Sequence, residues 1–204
     1  MNRLAIIIMA ISGLAFPSIS AKAQEKMRLK IQYSPSQPLG GMKNYIDKTS
    51  MNGWGAALDR TINTNWHAGL QVGFQDHYKK LPRQLYVDGE QTVSAVQTRS
   101  IQVVPVQLYG SYYWGEEGKI RPYATLAAGG GFVRNDLFWG QFNSRDNGFV
   151  FTASPGAGVS LPIGRYKSSM LQFGIQYNYV PYRYEDVENL NTLQANVGIA
   201  FPLR

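Results

Sequence analysis

The sequence is dominated by segments in which apolar and polar residues alternate one by one. Between Leu171 and Tyr179 every second residue is apolar or aromatic, whereas the residues between them begin with Gln172, Gly174 and Gln176. Successive side chains of a β-strand point to opposite faces, so this pattern predicts a strand with one apolar and one polar face. The fold then depends on which of the two faces is in contact with water.

Eight segments of this kind follow one another, with turn-forming residues between them. They are 27–35, 52–61, 66–75, 99–114, 119–133, 148–162, the stretch that begins at 169, and 192–203. The connections alternate between long and short, and the long ones are 36–50, 76–98, 134–147 and 183–191. Near Gln102 and Val103 the alternation shifts by one residue, and Pro105 cannot donate to a ladder, which predicts a β-bulge there.

The first 23 residues have the pattern of a secretory signal peptide. Arg3 gives a positive start, Leu4–Phe16 is an apolar run, and Ala21-Lys22-Ala23 is a small-residue cleavage site. We expect cleavage after Ala23, export through the inner membrane and a single mature domain of residues 24–204. The alternative is a membrane anchor, but the apolar run is shorter than the ~20 residues that a spanning helix needs.

Composition excludes several other classes of protein. The formal net charge of +7 becomes +5 without the signal peptide, and no run of basic residues stands out, so we expect no nucleic-acid partner. Cysteine is absent, so disulfides do not hold this exported chain together. No apolar run after residue 23 is long enough for a spanning helix, and a membrane role therefore has to use strands.

Strand length and aromatic positions favour an apolar face that points outward. The segments are at least as long as the ~9–11 residues of a tilted membrane strand and longer than the usual soluble strand of ~5–6. Aromatic residues lie near strand ends on the apolar face, where membrane barrels keep interfacial girdles. These candidates are Trp54, Trp66, Trp114, Tyr179 and Phe201.

The pattern thus predicts an all-β fold, an eight-stranded antiparallel up-and-down transmembrane β-barrel with short periplasmic turns and long outer loops. Its polar face, rich in Gln, Ser, Thr and Asn, lines the lumen. The alternative is a soluble eight-stranded barrel that carries a ligand, as lipocalins do, with its apolar faces inward.

The stretch VPVQLYGSYYWGEEGKIRPYATLAAGGGF, residues 104–132, resembles two adjacent strands of small outer-membrane β-barrel proteins of the opacity, porin-type and OmpW/OmpX-like family. The matching residues are Val104, Pro105, Tyr109, Arg121, Pro122, Tyr123, Gly129 and Gly131. The resemblance implies a barrel in the outer membrane of a Gram-negative cell envelope. Such barrels usually end on an aromatic residue that the assembly machinery recognises, whereas Phe201 is followed here by Pro202, Leu203 and Arg204.

Charged residues on the predicted lumen face are the first candidate site. Lys30, Asp59, His67 and Arg121 all fall near the periplasmic end, and a buried carboxylate among cations has to be paired. We predict a network centred on Asp59 and Arg121. It acts either as a selectivity ring or as a set of charges that neutralise one another and hold the barrel shut, and the second interpretation is favoured.

The outer loops are the second candidate site. The segment 76–98 carries Lys79, Lys80 and Arg83, which suit lipopolysaccharide phosphates or a partner, although a polar loop without a binding role is the alternative. The segment 134–147 carries Phe138 and Trp139, which suit contact with another membrane protein in the envelope or folding over the mouth of the lumen. Catalysis is not expected, because the two histidines lack the His-x-Ser pattern of lipid A deacylases, and no metal or cofactor motif is present.

The function predicted from the sequence is therefore that of an integral outer-membrane barrel with a structural, envelope-stabilising or surface-interaction role. The alternative is a narrow porin-like channel for small or hydrophobic solutes, although the interior of eight strands is only just wide enough to be filled by side chains.

Overall fold

The computed structural model describes residues 27–88, 91–139, 142–164, 168–183, 187 and 189–203, with the backbone alone at 84–88, 91–93, 95, 139 and 142. The segment 1–23 that is predicted to be a signal peptide lies outside the described residues. The elements are β1 (Met27–Tyr33), β2 (Ser36–Pro38), α1 (Gly41–Tyr45), β3 (Asn52–Thr61), β4 (Trp66–Asp88), β5 (Gln91–Tyr113), β6 (Arg121–Trp139), β7 (Phe142–Ile163), β8 (Ser169–Asn178) and β9 (Thr192–Leu203). No described helix is long and apolar enough to cross a membrane.

The strands form one antiparallel sheet that closes on itself. From β3 to β9 each strand pairs with the next, and β1 pairs with both β3 and β9. The closing ladder runs from the Met27–Leu203 pair to the Tyr33–Val197 pair. The short strand β2 continues β1 beyond Pro35 and also pairs with β9. The eight-stranded antiparallel barrel predicted from the alternation is thus confirmed.

The apolar side of the wall faces outward. Leu108, Leu126 and Phe149 are exposed, whereas Gln107 and Thr152 on the alternate positions are buried inside the barrel. Hydrocarbon around the barrel requires this arrangement, since a polar outer face would lose its hydrogen bonds to water. A soluble barrel with inward apolar faces is therefore the wrong reading of the pattern.

Two of the predicted outer loops are strands instead. β4 and β5 continue as a hairpin through most of 76–98, and β6 and β7 continue through most of 134–147. β3 follows β4 only as far as the Asn52–Asp76 pair, and β8 pairs with β7 only from Gly156 onward. A four-stranded sheet, which we call the protruding sheet, therefore stands beyond the outer end of the barrel on one side.

The predicted bulge near Gln102 and Val103 is also wrong. The β4–β5 register is the same on both sides of Pro105, and it shifts further out, between Lys80 and Arg83. Val103 points into the barrel like Gln107 and is buried. The alternation in the sequence changes here because the interior itself changes from polar to apolar.

Candidate functional site

The periplasmic end of the interior holds the charged residues predicted from the sequence. Lys30 Nζ lies 2.9 Å from Asp59 Oδ2, with the two side chains 10% and 0% exposed. The geometry is that of an ion pair without an aligned hydrogen bond, since neither carboxylate oxygen has a hydrogen-bond partner among the described residues. Lys30 also lies 5.0 Å from the ring centroid of Tyr109 and donates to the Tyr113 hydroxyl at 3.4 Å.

Arg121 does not pair with Asp59, contrary to the predicted centre of the network. Its Nη2 atom donates to the carbonyl oxygens of Thr64 (2.7 Å) and Tyr113 (3.2 Å), and its guanidinium lies 5.2 Å from the Tyr113 ring centroid. The turn between β3 and β4 and the end of β5 each direct a carbonyl oxygen toward Arg121, so the backbone replaces the carboxylate as its acceptor. His67 packs edge-on against the same ring at 4.7 Å.

Cations outnumber carboxylates in this cluster. Arg28, which the sequence argument passed over, is buried beside Thr61 and Met170. With Lys30 and Arg121 it makes three cations against the one described carboxylate of Asp59. The predicted mutual neutralisation is therefore incomplete, and aromatic rings and carbonyl oxygens stabilise the remaining charge.

The middle of the interior is filled by side-chain amides. Gln71 donates to Gln107 at 2.8 Å, and Gln107 donates in turn to Thr152 (2.9 Å) and Ser154 (3.0 Å) across the lumen. A second set joins Gln75, Asn178, Thr192 and Gln194. The cavity that remains between them holds about 20 Å³, which is room for roughly one water molecule.

The outer mouth is closed by an apolar cluster, which we call the plug. Ile101, Val103 and Val133 form its floor on the inner face of the barrel wall. Other buried members come from α1 and its end and from the β8–β9 connection: Met42, Tyr45, Ile46, Val180, Tyr182, Val187 and Leu190. The segments meet through a backbone hydrogen bond from Leu39 to Asn191 at 2.8 Å.

Two contacts fix the plug against the protruding sheet. The guanidinium of Arg99 lies 4.2 Å from the ring centroid of Tyr45 and donates to its carbonyl oxygen at 3.2 Å. The hydroxyl of Tyr182 hydrogen bonds to Asp146, and its ring lies so close to Gly148 that a Cβ there would meet a ring carbon at 2.7 Å. Gly148 therefore makes room for the aromatic side chain that covers the mouth.

The predicted interfacial aromatics are all exposed on the outer wall. Trp66, Trp114 and Phe201 lie toward the periplasmic end, and Trp54 and Tyr179 lie toward the outer end. Tyr112 packs between Trp66 and Trp114, with ring centroids 5.1 and 5.0 Å apart. The placement suits two girdles, and the anchoring role of these residues stays a prediction.

The predicted outer contacts do not form a single patch. Lys79 forms an ion pair with Asp47 beyond α1 at 2.8 Å, and this hydrogen bond lowers the pKa of Asp47. Lys80 pairs with Thr98 of β5, and Thr98 pairs with Phe138 of β6, so these three residues lie side by side on the outward face. Arg83 is exposed further out, and the Trp139 side chain lies outside the described residues.

An outward cluster on β6 and β7 was missed by the sequence argument. Arg134 and Arg145 both form ion pairs with Asp136, at 2.7 and 2.6 Å. Burial alone would raise the pKa of Asp136, but hydrogen bonds from Arg145 and Arg134 outweigh it and lower the pKa. The continued alternation of Arg134 and Asp136 with Phe132 was the available signal. The described residues contain no group of three or more His, Cys, Asp or Glu that could hold a metal.

Comparison with protein families gives a match over almost the whole chain. Residues 6–201 match the model described as outer membrane protein beta-barrel domain. No curated protein matches the sequence.

Three solved structures with the same fold are distant from this chain in sequence. Neisserial surface protein A is 11% identical, with a TM-score of 0.55 over 89% of this chain and 98% of that one. Ail of Yersinia pestis, in complex with the heparin analogue sucrose octasulfate, is 12% identical, with a TM-score of 0.52 over 89% and 100%. OprG of Pseudomonas aeruginosa is 12% identical, with a TM-score of 0.52 over 88% and 96%. At these identities the likeness concerns the fold.

Proposed function

The chain belongs to the family of outer-membrane β-barrel domain proteins, and from this premise we propose that it is a non-conducting barrel that presents the protruding sheet as an interaction surface. It lies in the outer membrane, within outer-membrane lipid. The proposal combines the structural and surface-interaction roles predicted from the sequence. The observation that carries it is the filled interior.

Three successive layers obstruct the lumen along its axis. The periplasmic layer contains the Lys30–Asp59 pair and the tyrosines around it, the middle layer contains the amide network, and the outer layer is the plug. A hydrated ion would have to displace hydrogen-bonded amides and then cross an apolar cluster. These contacts argue against the narrow channel, and the small polar cavity argues against a carrier of an internal ligand.

The outer surface supports the interaction role. In the protruding sheet, β4 and β5 each continue for about a dozen residues beyond the level of the last β3–β4 pair, which is more than the barrel needs to span a membrane. Its outward face carries Lys80, Phe138 and the Arg134–Asp136–Arg145 cluster. Lipopolysaccharide and envelope proteins are the partners that suit such a face. The fold relative Ail was solved in complex with the heparin analogue sucrose octasulfate.

Other parts of the original prediction stay predictions. Absence of catalysis is one, and recognition of Phe201 by the outer-membrane assembly machinery is another. Phe201 is exposed on the lipid-facing side of β9, within the closing ladder, where it pairs with Leu29 of β1.

Planar-bilayer recording tests whether the interior conducts. The purified full chain, with folding confirmed by the change of gel mobility on boiling, is expected to give no steady openings over a range of voltages. Asp59→Ala, which removes the only described carboxylate of the periplasmic layer, is the matched variant. Steady wild-type openings whose conductance changes in Asp59→Ala would refute the proposal and establish the channel.

A further inference from the structure

Two arginines on the outward face of the protruding sheet are held by one buried carboxylate. Asp136 accepts a hydrogen bond from Arg145 Nε on Oδ1 at 2.6 Å and another from Arg134 Nε on Oδ2 at 2.7 Å. The Asp136 side chain is 7% exposed, whereas each arginine side chain is 45% exposed. The carboxylate therefore orients both guanidinium groups and leaves them accessible from outside.

The outer ends of these guanidinium groups are unused. Both ion pairs are made through Nε, and within the described part of the chain the Nη nitrogens of Arg134 and Arg145 donate no hydrogen bond. One carboxylate between two guanidinium groups leaves a net charge of +1. Guanidinium groups match the oxygens of a phosphate in charge and in fork geometry. The cluster is thus complementary to a phosphate.

The position of the arginine cluster along the barrel wall indicates which kind of phosphate-containing molecule it binds. Arg134 is two residues beyond Phe132 on the same face of β6, and Phe132 packs against Phe149 of β7 with ring centroids 5.0 Å apart. These two rings are 59% and 66% exposed on the outer wall. A molecule lying against this wall meets apolar rings below and cations directly above, which is the order of acyl chains and headgroup in a lipid.

We propose that Arg134, Arg145 and Asp136 form a binding site for the headgroup phosphate of an anionic outer-leaflet lipid. The arginines bind the phosphate, and Asp136 is a positioning residue that acts through them. The site rests on the proposed function, because it requires a barrel embedded in the outer membrane, and it names a lipid as one partner of the protruding sheet. A soluble protein ligand is the competing occupant.

Native mass spectrometry of the folded full chain in neutral detergent tests the site. The probes are diphosphorylated lipid A and the same lipid without phosphates. We expect the wild type to prefer the phosphorylated lipid, and the double variant R134Q/R145Q to bind it about tenfold more weakly, as loss of charged hydrogen bonds implies. The matched control K43Q/K48Q removes the same charge from exposed lysines near the outer mouth and should retain wild-type affinity.

Asp136→Asn separates positioning from simple attraction. This variant raises the local charge from +1 to +2, so attraction alone predicts tighter binding of the phosphorylated lipid. If Asp136 positions the two arginines, Asp136→Asn should bind the phosphorylated lipid more weakly, because a charged acceptor then no longer holds either guanidinium group. Tighter binding by Asp136→Asn overturns the positioning role.

Other outcomes bear directly on the lipid. Equal affinity of the wild type for both lipids overturns the site, even if every variant fails to fold. The site is also overturned if K43Q/K48Q weakens binding of the phosphorylated lipid as much as R134Q/R145Q does. Displacement of the lipid by inorganic phosphate at comparable affinity identifies a free anion site and overturns the lipid proposal. If the lipid test fails and the planar bilayer stays silent, the lipid site is refuted and the non-conducting barrel is not. If the bilayer conducts and the preference for phosphorylated lipid is intact, the non-conducting barrel is refuted and the lipid site is not.

Discussion

Asp59→Asn should destabilise the barrel strongly without changing its shape. The substitution keeps the side-chain volume and removes the negative charge that lies 2.9 Å from Lys30 Nζ, at a site where Asp59 is fully buried and Lys30 nearly so. Removing one partner of a buried ion pair costs about 3–5 kcal/mol, and the nearby cations Arg28 and Arg121 favour the upper half of that range. The Tyr109 ring beside Lys30 offsets part of this cost.

Urea titration in lipid vesicles, followed by tryptophan fluorescence, measures this loss as a lowered unfolding midpoint. The double variant Lys30→Met with Asp59→Asn should recover more than half of it, because it removes the cation that lost its partner and returns the cluster to its wild-type net charge. Lys119→Met is the matched control, since Lys119 forms an ion pair with Glu116 of the same 2.9 Å length in an exposed turn and should cost at most about 1 kcal/mol. A loss for Asp59→Asn as small as this control, or no recovery in the double variant, would refute the reasoning.

Three further perturbations test other parts of the structure. Gly148→Ala should cost about 1–3 kcal/mol in the same titration because its Cβ would meet the Tyr182 ring at 2.7 Å, whereas Gly110→Ala, with nothing within 4 Å, should be nearly neutral. Gln107→Leu should cost about 1–3 kcal/mol, since it leaves buried hydroxyl and amide partners without hydrogen bonds, and a neutral result would show that water replaces them. The lowered pKa of Asp136 means that its stabilising contribution is complete above the usual value of 3.8 and is lost only as the pH falls through the lower folded value; carboxyl NMR titration in micelles checks this, and a midpoint above 3.8 contradicts it.

The wall of the barrel could be predicted because the alternation of apolar and polar residues shows directly that its two faces lie in different environments. Leu171 and Phe173 had to face one environment and Gln172 and Gln176 the other, and strand length decided which environment was hydrocarbon. The ladder between β8 and β9 follows from this pattern. The pattern fails at the outer mouth of the barrel, where Ile101 and Val103 face an apolar plug instead of a polar lumen. There the inner face is apolar although it lies inside the barrel, and the sequence was interpreted as a shifted strand followed by a loop.

The sequence predicted which charged residues lie together in the candidate site, but it did not predict which of them form the ion pair. Alternation placed Lys30, Asp59, His67 and Arg121 in one interior region, because facing depends only on strand phase. Asp59 pairs with Lys30 and not with Arg121 because of the stagger between strands and because backbone carbonyl groups are available to Arg121. The alternation of side chains in the sequence contains no information about either. The plug was missed because Met42, Tyr45 and Ile46 become buried only through contacts with distant segments.

Above its floor, the plug is built from the two chain segments that flank the joint between the first and last long strands. β2 and α1 follow β1, the residues around Val180 and Leu190 precede β9, and Leu39 is hydrogen bonded to Asn191 where the segments meet. These two halves of the plug therefore come together only when β9 reaches β1. Closure of the wall and covering of the outer mouth are therefore coupled: a chain in which β9 has not paired with β1 lacks the last ladder of the barrel and also the contact that joins the two halves of its cover.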